Sequence, residues 1–172
     1  MAAAERLRVL GFQVTIYDRH DRAGGLMIYG IPNFKLEKDV VLRRWQQYAE
    51  GGIEFRLNCA VGRDISLGEL RRKHAAVLIA TGVYKARDIA APGADLPGVV
   101  AALDYLIASN RKGLGDAVPA FDSGALNAEG RHVVVIGGGD TAMDCVRTAT
   151  RQGAASVTCL YRRDKANMPG SM

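Results

Sequence analysis

Apolar positions fall at helical spacing over residues 2–10, where Ala3, Leu7 and Leu10 share a face and Gly11 suits the place just beyond a helix end. Residues 12–18, Phe-Gln-Val-Thr-Ile-Tyr-Asp, alternate instead and are rich in β-branched and aromatic side chains, which predicts a strand closed by an acid, Asp18. The glycines and proline of 24–32 break any period and predict a loop with apolar side chains. Val40, Val41, Trp45 and Tyr48 return to near-helical spacing, predicting a helix over 37–51 stopped by Gly51-Gly52. A short strand over 53–57 and a short helix over 67–74 follow. The run Ala75-Ala76-Val77-Leu78-Ile79-Ala80 is apolar throughout and closed by Thr81-Gly82, the pattern of a strand buried on both faces of a parallel sheet.

Pro92-Gly93 and Pro97-Gly98 mark a hinge. Beyond it the pattern predicts a helix over 100–109 and a loop over 110–130, long enough to suggest a functional role. A strand over 131–136, a helix running to Gly153 and a strand over 156–161 complete the chain. This alternation predicts an α/β protein with parallel sheets, organised as two incomplete Rossmann-like units, residues 1–96 and 97–172. In a βαβ unit a strand precedes the helix, and none precedes the helix over 2–10.

The second unit carries the clearest chemistry. An apolar strand runs straight into Gly137-Gly138-Gly139-Asp140-Thr141-Ala142, a G-x-G-x-x-A turn that opens a helix, the context a dinucleotide fingerprint requires. Gly137 permits the tight turn, Gly139 lets the backbone approach a pyrophosphate, and Ala142 lets the helix pack on the sheet. Phosphates then face unpaired N–H groups at the positive end of the helix. The alternative is a structural glycine turn. Where an NAD site carries an acid for the ribose, the next strand ends in Arg162-Arg163, which favours a 2′-phosphate and hence NADP. With Asp164 adjacent, a solvated strand end is the other reading of these arginines. Asp18 occupies the ribose-binding place of another dinucleotide unit, suiting FAD or NAD, or is a turn residue. Thr81-Gly82 would permit close approach of a ligand.

Composition changes this picture little. The net charge of +5 comes from 23 basic residues scattered among 18 acidic ones, with no basic stripe interleaved with aromatics, which argues against nucleic acid and suits small anionic ligands. No run approaches about 20 apolar residues and no basic-then-apolar leader opens the chain, so no membrane partner and a cytoplasmic address are expected. Cys59, Cys145 and Cys159 lie far apart without a C-x-x-C, and His20, His74 and His132 are scattered, so no metal or iron–sulfur site is expected within these residues.

Together these residues resemble the small chains of NADPH-dependent glutamate synthase, within the wider group of two-dinucleotide flavoproteins. The resemblance rests on Gly24-Gly25-Leu26 through Gly30-Ile31-Pro32-Asn33-Phe34-Lys35-Leu36, Ala80-Thr81-Gly82, residues 117–122, Gly137 to Cys145, and Tyr161-Arg162-Arg163 with Met168-Pro169-Gly170. It implies a flavin site using Asp18 at the ribose, Gly25 and Leu26 near the cofactor and Thr81 and Gly82 along it. It also implies an NADPH site built from Gly137, Gly139, Asp140, Thr141 and Ala142, with Arg162 and Arg163 at the 2′-phosphate. The implied activity passes electrons from NADPH through FAD toward iron–sulfur centres held elsewhere in the parent protein, with the glutamate synthase large chain as partner. No side chain of these residues is implied as a general acid or base. Related flavoproteins feeding ferredoxin or a pyrimidine, and a non-catalytic NADP-binding module, remain as alternatives.

Family members place a glycine-rich turn before a helix like that over 2–10 and continue past the Met-Pro-Gly stretch. The sequence therefore reads as an internal piece of a longer polypeptide. Taken alone it is expected to be inactive, prone to aggregate through unpaired strand edges and weak in binding FAD.

Overall fold

The computed structural model describes residues 1–86 and 89–170. Two compact units emerge: Met1–Ile28 with Glu37–Val83, and Tyr29–Leu36 with Tyr84–Met172. The second thus begins ahead of the Pro-Gly hinge and also takes in Tyr29–Leu36.

In the first unit, helix α1 (Ala2–Val9) precedes β1 (Thr15–Tyr17), and α3 (Lys38–Glu50) precedes β2 (Glu54–Arg56). β1 and β2 pair in parallel, Thr15 opposite Glu54 and Tyr17 opposite Arg56. The core between helices and sheet is Ala4, Tyr48 and Ile53, with Val14, Ile16 and Phe55 packed against it. Helix α4 (Leu67–Lys73) starts at a capping box: Ser66 Oγ accepts from the Glu69 amide while Glu69 accepts from the Ser66 amide.

Two expectations fail in this unit. The apolar run over 75–80 is not a buried strand: it pairs with no strand among the described residues, and Leu78 and Ile79 are 68% and 69% exposed. An apolar run becomes a core strand only when neighbours take its N–H and C=O groups and cover its faces, and neither is supplied by the described residues. Residues 24–32 are not all loop, because Leu26–Tyr29 form a single helical turn, α2, anchored by fully buried Ile28 and Tyr29.

In the second unit α5 (Ala102–Gly113) extends beyond the expected end at 109, and α6 (Pro119–Asp122) interrupts the expected loop with one turn opened by proline. The extension has a cause. Asn110 is buried, and its Nδ2 donates to the Tyr29 carbonyl at 2.9 Å, so a polar side chain does core work at the helix end. β3 (His132–Ile136), α7 (Asp140–Arg151) and β4 (Ser156–Leu160) then form a βαβ unit, with β3 and β4 parallel and Ile136 opposite Leu160. Cys145 and Ala149 of α7 pack with Tyr105 and Leu106 of α5 and with Val133, Val135 and Val157 of the sheet. Only one sheet face is covered: Val134, Ile136 and Leu160 on the other are each more than half exposed. Among the described residues no helix is long and apolar enough to cross a membrane.

The architecture is α/β, with a two-stranded parallel sheet in each unit flanked by helices.

Candidate dinucleotide site

The β3–α7 turn is built by three glycines with different constraints. Gly137 has φ of 144°, in the region that favours glycine, and its N–H donates to the Leu160 carbonyl at 2.9 Å, tying the turn to the end of β4. A Cβ on Gly137 would stand 3.3 Å from that of Ala142, so the small residue of the fingerprint is the one the turn packs against. Gly139 is the N-cap of α7, with φ −90° and ψ 177°, and a Cβ there would meet no atom within 4 Å. Gly138 is constrained by a neighbour: a Cβ would lie 2.5 Å from the Tyr161 ring.

Among the described residues no side chain caps α7 at Gly139. The first N–H groups of a helix have no intrahelical partner, and here an open approach at Gly139 leads to them. Asp140 and Thr141 form the first turn, and Ala142 is buried beneath it. Arg162 and Arg163 follow β4 and are exposed, with no hydrogen bond or ion pair among the described residues. Asp164 makes no ion pair with them among the described residues. Its Oδ1 instead accepts from the Asn167 amide at 3.0 Å and from Asn167 Nδ2 at 2.7 Å, capping a 3₁₀ turn over Lys165–Asn167. The arrangement offers backbone donors and two unpaired guanidinium groups at adjacent strand ends, which suits an anionic, multiply phosphorylated ligand.

The segment Tyr29–Leu36 fastens onto α7 and α5. Lys35 Nζ lies 2.9 Å from Oδ1 of buried Asp144, a contact of charge rather than an aligned hydrogen bond. The Arg151 guanidinium sits 3.9 Å from the centre of the Phe34 ring, and that of Arg111 sits 5.6 Å from Tyr29. The segment singled out in sequence as part of a flavin loop therefore carries contacts to the fingerprint helix.

In the first unit Asp18 follows β1 as expected. Its Oδ1 accepts from the His20 amide at 3.0 Å and lies 2.9 Å from His20 Nδ1, the geometry of a turn residue, with the side chain still partly exposed. Gly25 has φ of 54° and Leu26 opens α2. Thr81 and Gly82 lie outside regular structure, Gly82 with φ of 68°. Among the described residues no hydrogen bond links Asp18, the Gly25-Leu26 turn and Thr81-Gly82. In the second unit the glycine turn and the end of β4 that carries Arg162 and Arg163 meet, through the Gly137 N–H on the Leu160 carbonyl and Tyr161 against Gly138.

Sequence reasoning missed Gly24, where a Cβ would stand 2.8 Å from Ile28 Cγ1 and 2.9 Å from Val41 Cγ1. It also missed Lys38, whose buried ammonium donates to the Met27 carbonyl at 3.0 Å and whose pKa burial pushes down to about 8. Gly138 and Gly170 lie in stretches the sequence singled out, the fingerprint and Met168-Pro169-Gly170, but their close contacts with Tyr161 and with the turn backbone were not foreseen.

The family described as pyridine nucleotide-disulphide oxidoreductase matches residues 1–170. The chain belongs to that family. Among its relatives, the glutamate synthase [NADPH] small chain of Azospirillum brasilense is 67% identical over 171 residues, 99% of this chain and 36% of the relative. The putative oxidoreductase AegA of Escherichia coli is 49% identical over 99% of this chain and 26% of its own length. The chain spans about a third of the length of the Azospirillum brasilense small chain and about a quarter of that of AegA. A solved structure of Mycobacterium tuberculosis FprA in complex with NADPH superposes with a TM-score of 0.78 at 23% identity, covering 99% of this chain and 42% of FprA, a likeness of fold.

Proposed function

We propose that this chain carries the NADPH-binding turn and part of the FAD site of a flavoprotein oxidoreductase of the glutamate synthase small-chain type. The observation that supports this best is the start of α7 at Gly139, which no described side chain caps, beside Arg162 and Arg163, which are exposed and without an ion pair among the described residues. Gly137, Gly139, Asp140, Thr141 and Ala142 would receive the pyrophosphate, and the two arginines the 2′-phosphate. Asp18, Gly25, Leu26, Thr81 and Gly82 would belong to the flavin's surroundings. When bound, the pair of cofactors supplies hydride transfer and its division into single electrons, destined for iron–sulfur centres and a large-chain partner. The residues of this chain bind and orient: backbone donors neutralise phosphate charge, and the guanidinium groups select the phosphorylated ribose.

Identity to AegA at 49% favours a second reading, in which the same NADPH and flavin chemistry feeds another acceptor. Arg162→Ala tests what the two readings share. It is expected to weaken NADPH by roughly 1.5–3 kcal/mol, the range for a charged hydrogen bond, and to leave NADH nearly unchanged. Equal losses for both nucleotides, measured by titration calorimetry, would remove the arginine from the 2′-phosphate.

A further inference from the structure

We infer that residues 168–170 form a strap that sets the aim of the dinucleotide turn, with Gly170 as its positioning residue; this rests on the β3–α7 turn being the NADPH site. The Gly170 N–H donates to the Gly138 carbonyl at 2.9 Å. A peptide unit is planar and trans, so the Gly138 carbonyl and the Gly139 N–H point in opposite directions. Holding the carbonyl toward the strap turns that N–H away from it.

The approach is backbone to backbone. A Cβ on Gly170 would stand 3.0 Å from Gly138 O, 3.1 Å from Gly139 C and 2.9 Å from Met143 Cγ, so only glycine fits without displacing the turn. Gly170 lies outside the left-handed region, and an alanine there is opposed by these contacts alone. Tyr161 presses on Gly138, while the Cβ direction of Gly139 faces open space. The turn is thus gripped at Gly138 and left open at Gly139.

The strap has its own anchor. Asp164 caps the Lys165–Asn167 turn, and the Tyr161 hydroxyl donates to the Asn167 carbonyl at 3.4 Å. Because Arg162 and Arg163 lie between β4 and this anchor, one tether fixes both where the arginines emerge and how the glycine turn is aimed.

The test uses the full-length protein with Gly170→Ala, Gly139→Leu and Arg162→Ala. Dissociation constants for NADPH and NADH, thermal melts and amide hydrogen exchange are the readouts. Gly170→Ala is expected to weaken both nucleotides by the same factor, about tenfold, with a melt lowered by the overpacking but still cooperative and an unchanged NADPH-to-NADH ratio. Arg162→Ala is expected to shift that ratio. Gly139→Leu fills the open approach and is expected to abolish binding. If Gly139→Leu binds normally, or the native chain does not bind NADPH, the site reading falls and the strap's role falls with it. If Gly139→Leu abolishes binding while Gly170→Ala leaves both affinities intact, the strap inference alone is overturned. Hydrogen exchange decides without any variant: the Gly170 amide is expected to be protected in the native chain, and exchange at the rate of a free peptide overturns the strap.

Discussion

Gly138→Ala probes the packing that shapes the turn. The added methyl carbon would lie 2.5, 2.8 and 2.8 Å from Cδ2, Cε2 and Cγ of the Tyr161 ring. Carbon atoms in good contact stand about 3.5–4.0 Å apart, so the methyl overlaps the ring by roughly 1 Å. Gly138 lies outside the left-handed region, and the backbone itself raises no objection. The ring must swing, and its hydroxyl must leave the Asn167 carbonyl. Overpacking of this kind typically costs about 1–3 kcal/mol. Urea unfolding followed by circular dichroism measures the loss, and Tyr161→Ala supplies the control. In the double variant the clash is absent, so the two effects should fall short of additivity by about 1 kcal/mol or more. Strict additivity, or a Gly138→Ala chain as stable as the native one, would contradict the packing of Tyr161 on Gly138.

Lys38 gives stability a pH signature. Its folded pKa of about 8 lies below the ordinary 10.5, so between those values the unfolded chain binds more protons and stability rises with pH. The gain approaches about 3 kcal/mol at most, and comparing native and Lys38→Met unfolding at pH 7.5, 9 and 10 isolates it; identical pH profiles would count against it. Cys145 lies under α5, with burial pushing its thiol up to about 12, whereas Cys59 and Cys159 are partly exposed. At pH 8 a thiol reagent should label Cys59 and Cys159 while Cys145 waits for unfolding; rapid labelling of all three would contradict that burial.

The βαβ unit of the second half was legible because its signals are local. A β-branched run, a glycine turn and a 3.6-residue period follow one another directly, and β3, α7 and β4 form close to where that pattern puts them. The fingerprint residues are contiguous, so reading the turn meant reading the site. The strand expected over 75–80 failed because burial belongs to a strand's neighbours, and the sequence of a strand does not contain them. Helix α2 was hidden by Gly24, Gly25 and Pro32, although Ile28 and Tyr29 are the anchors that hold it. The clamp of Tyr161 and Gly170 on Gly138 brings together residues separated by more than twenty positions, which no local period records. The Ser66-x-x-Glu69 box was an available signal for the start of α4.

The most direct test of the account is an NMR titration of the ¹⁵N-labelled chain with NADP⁺. The account predicts saturable shifts at the Gly139 to Ala142 amides and the Arg162 and Arg163 side chains, with the 2′-phosphate-free nucleotide moving the first set and sparing the second. Shifts confined to residues around Asp18, or none at the β3–α7 turn, would contradict it.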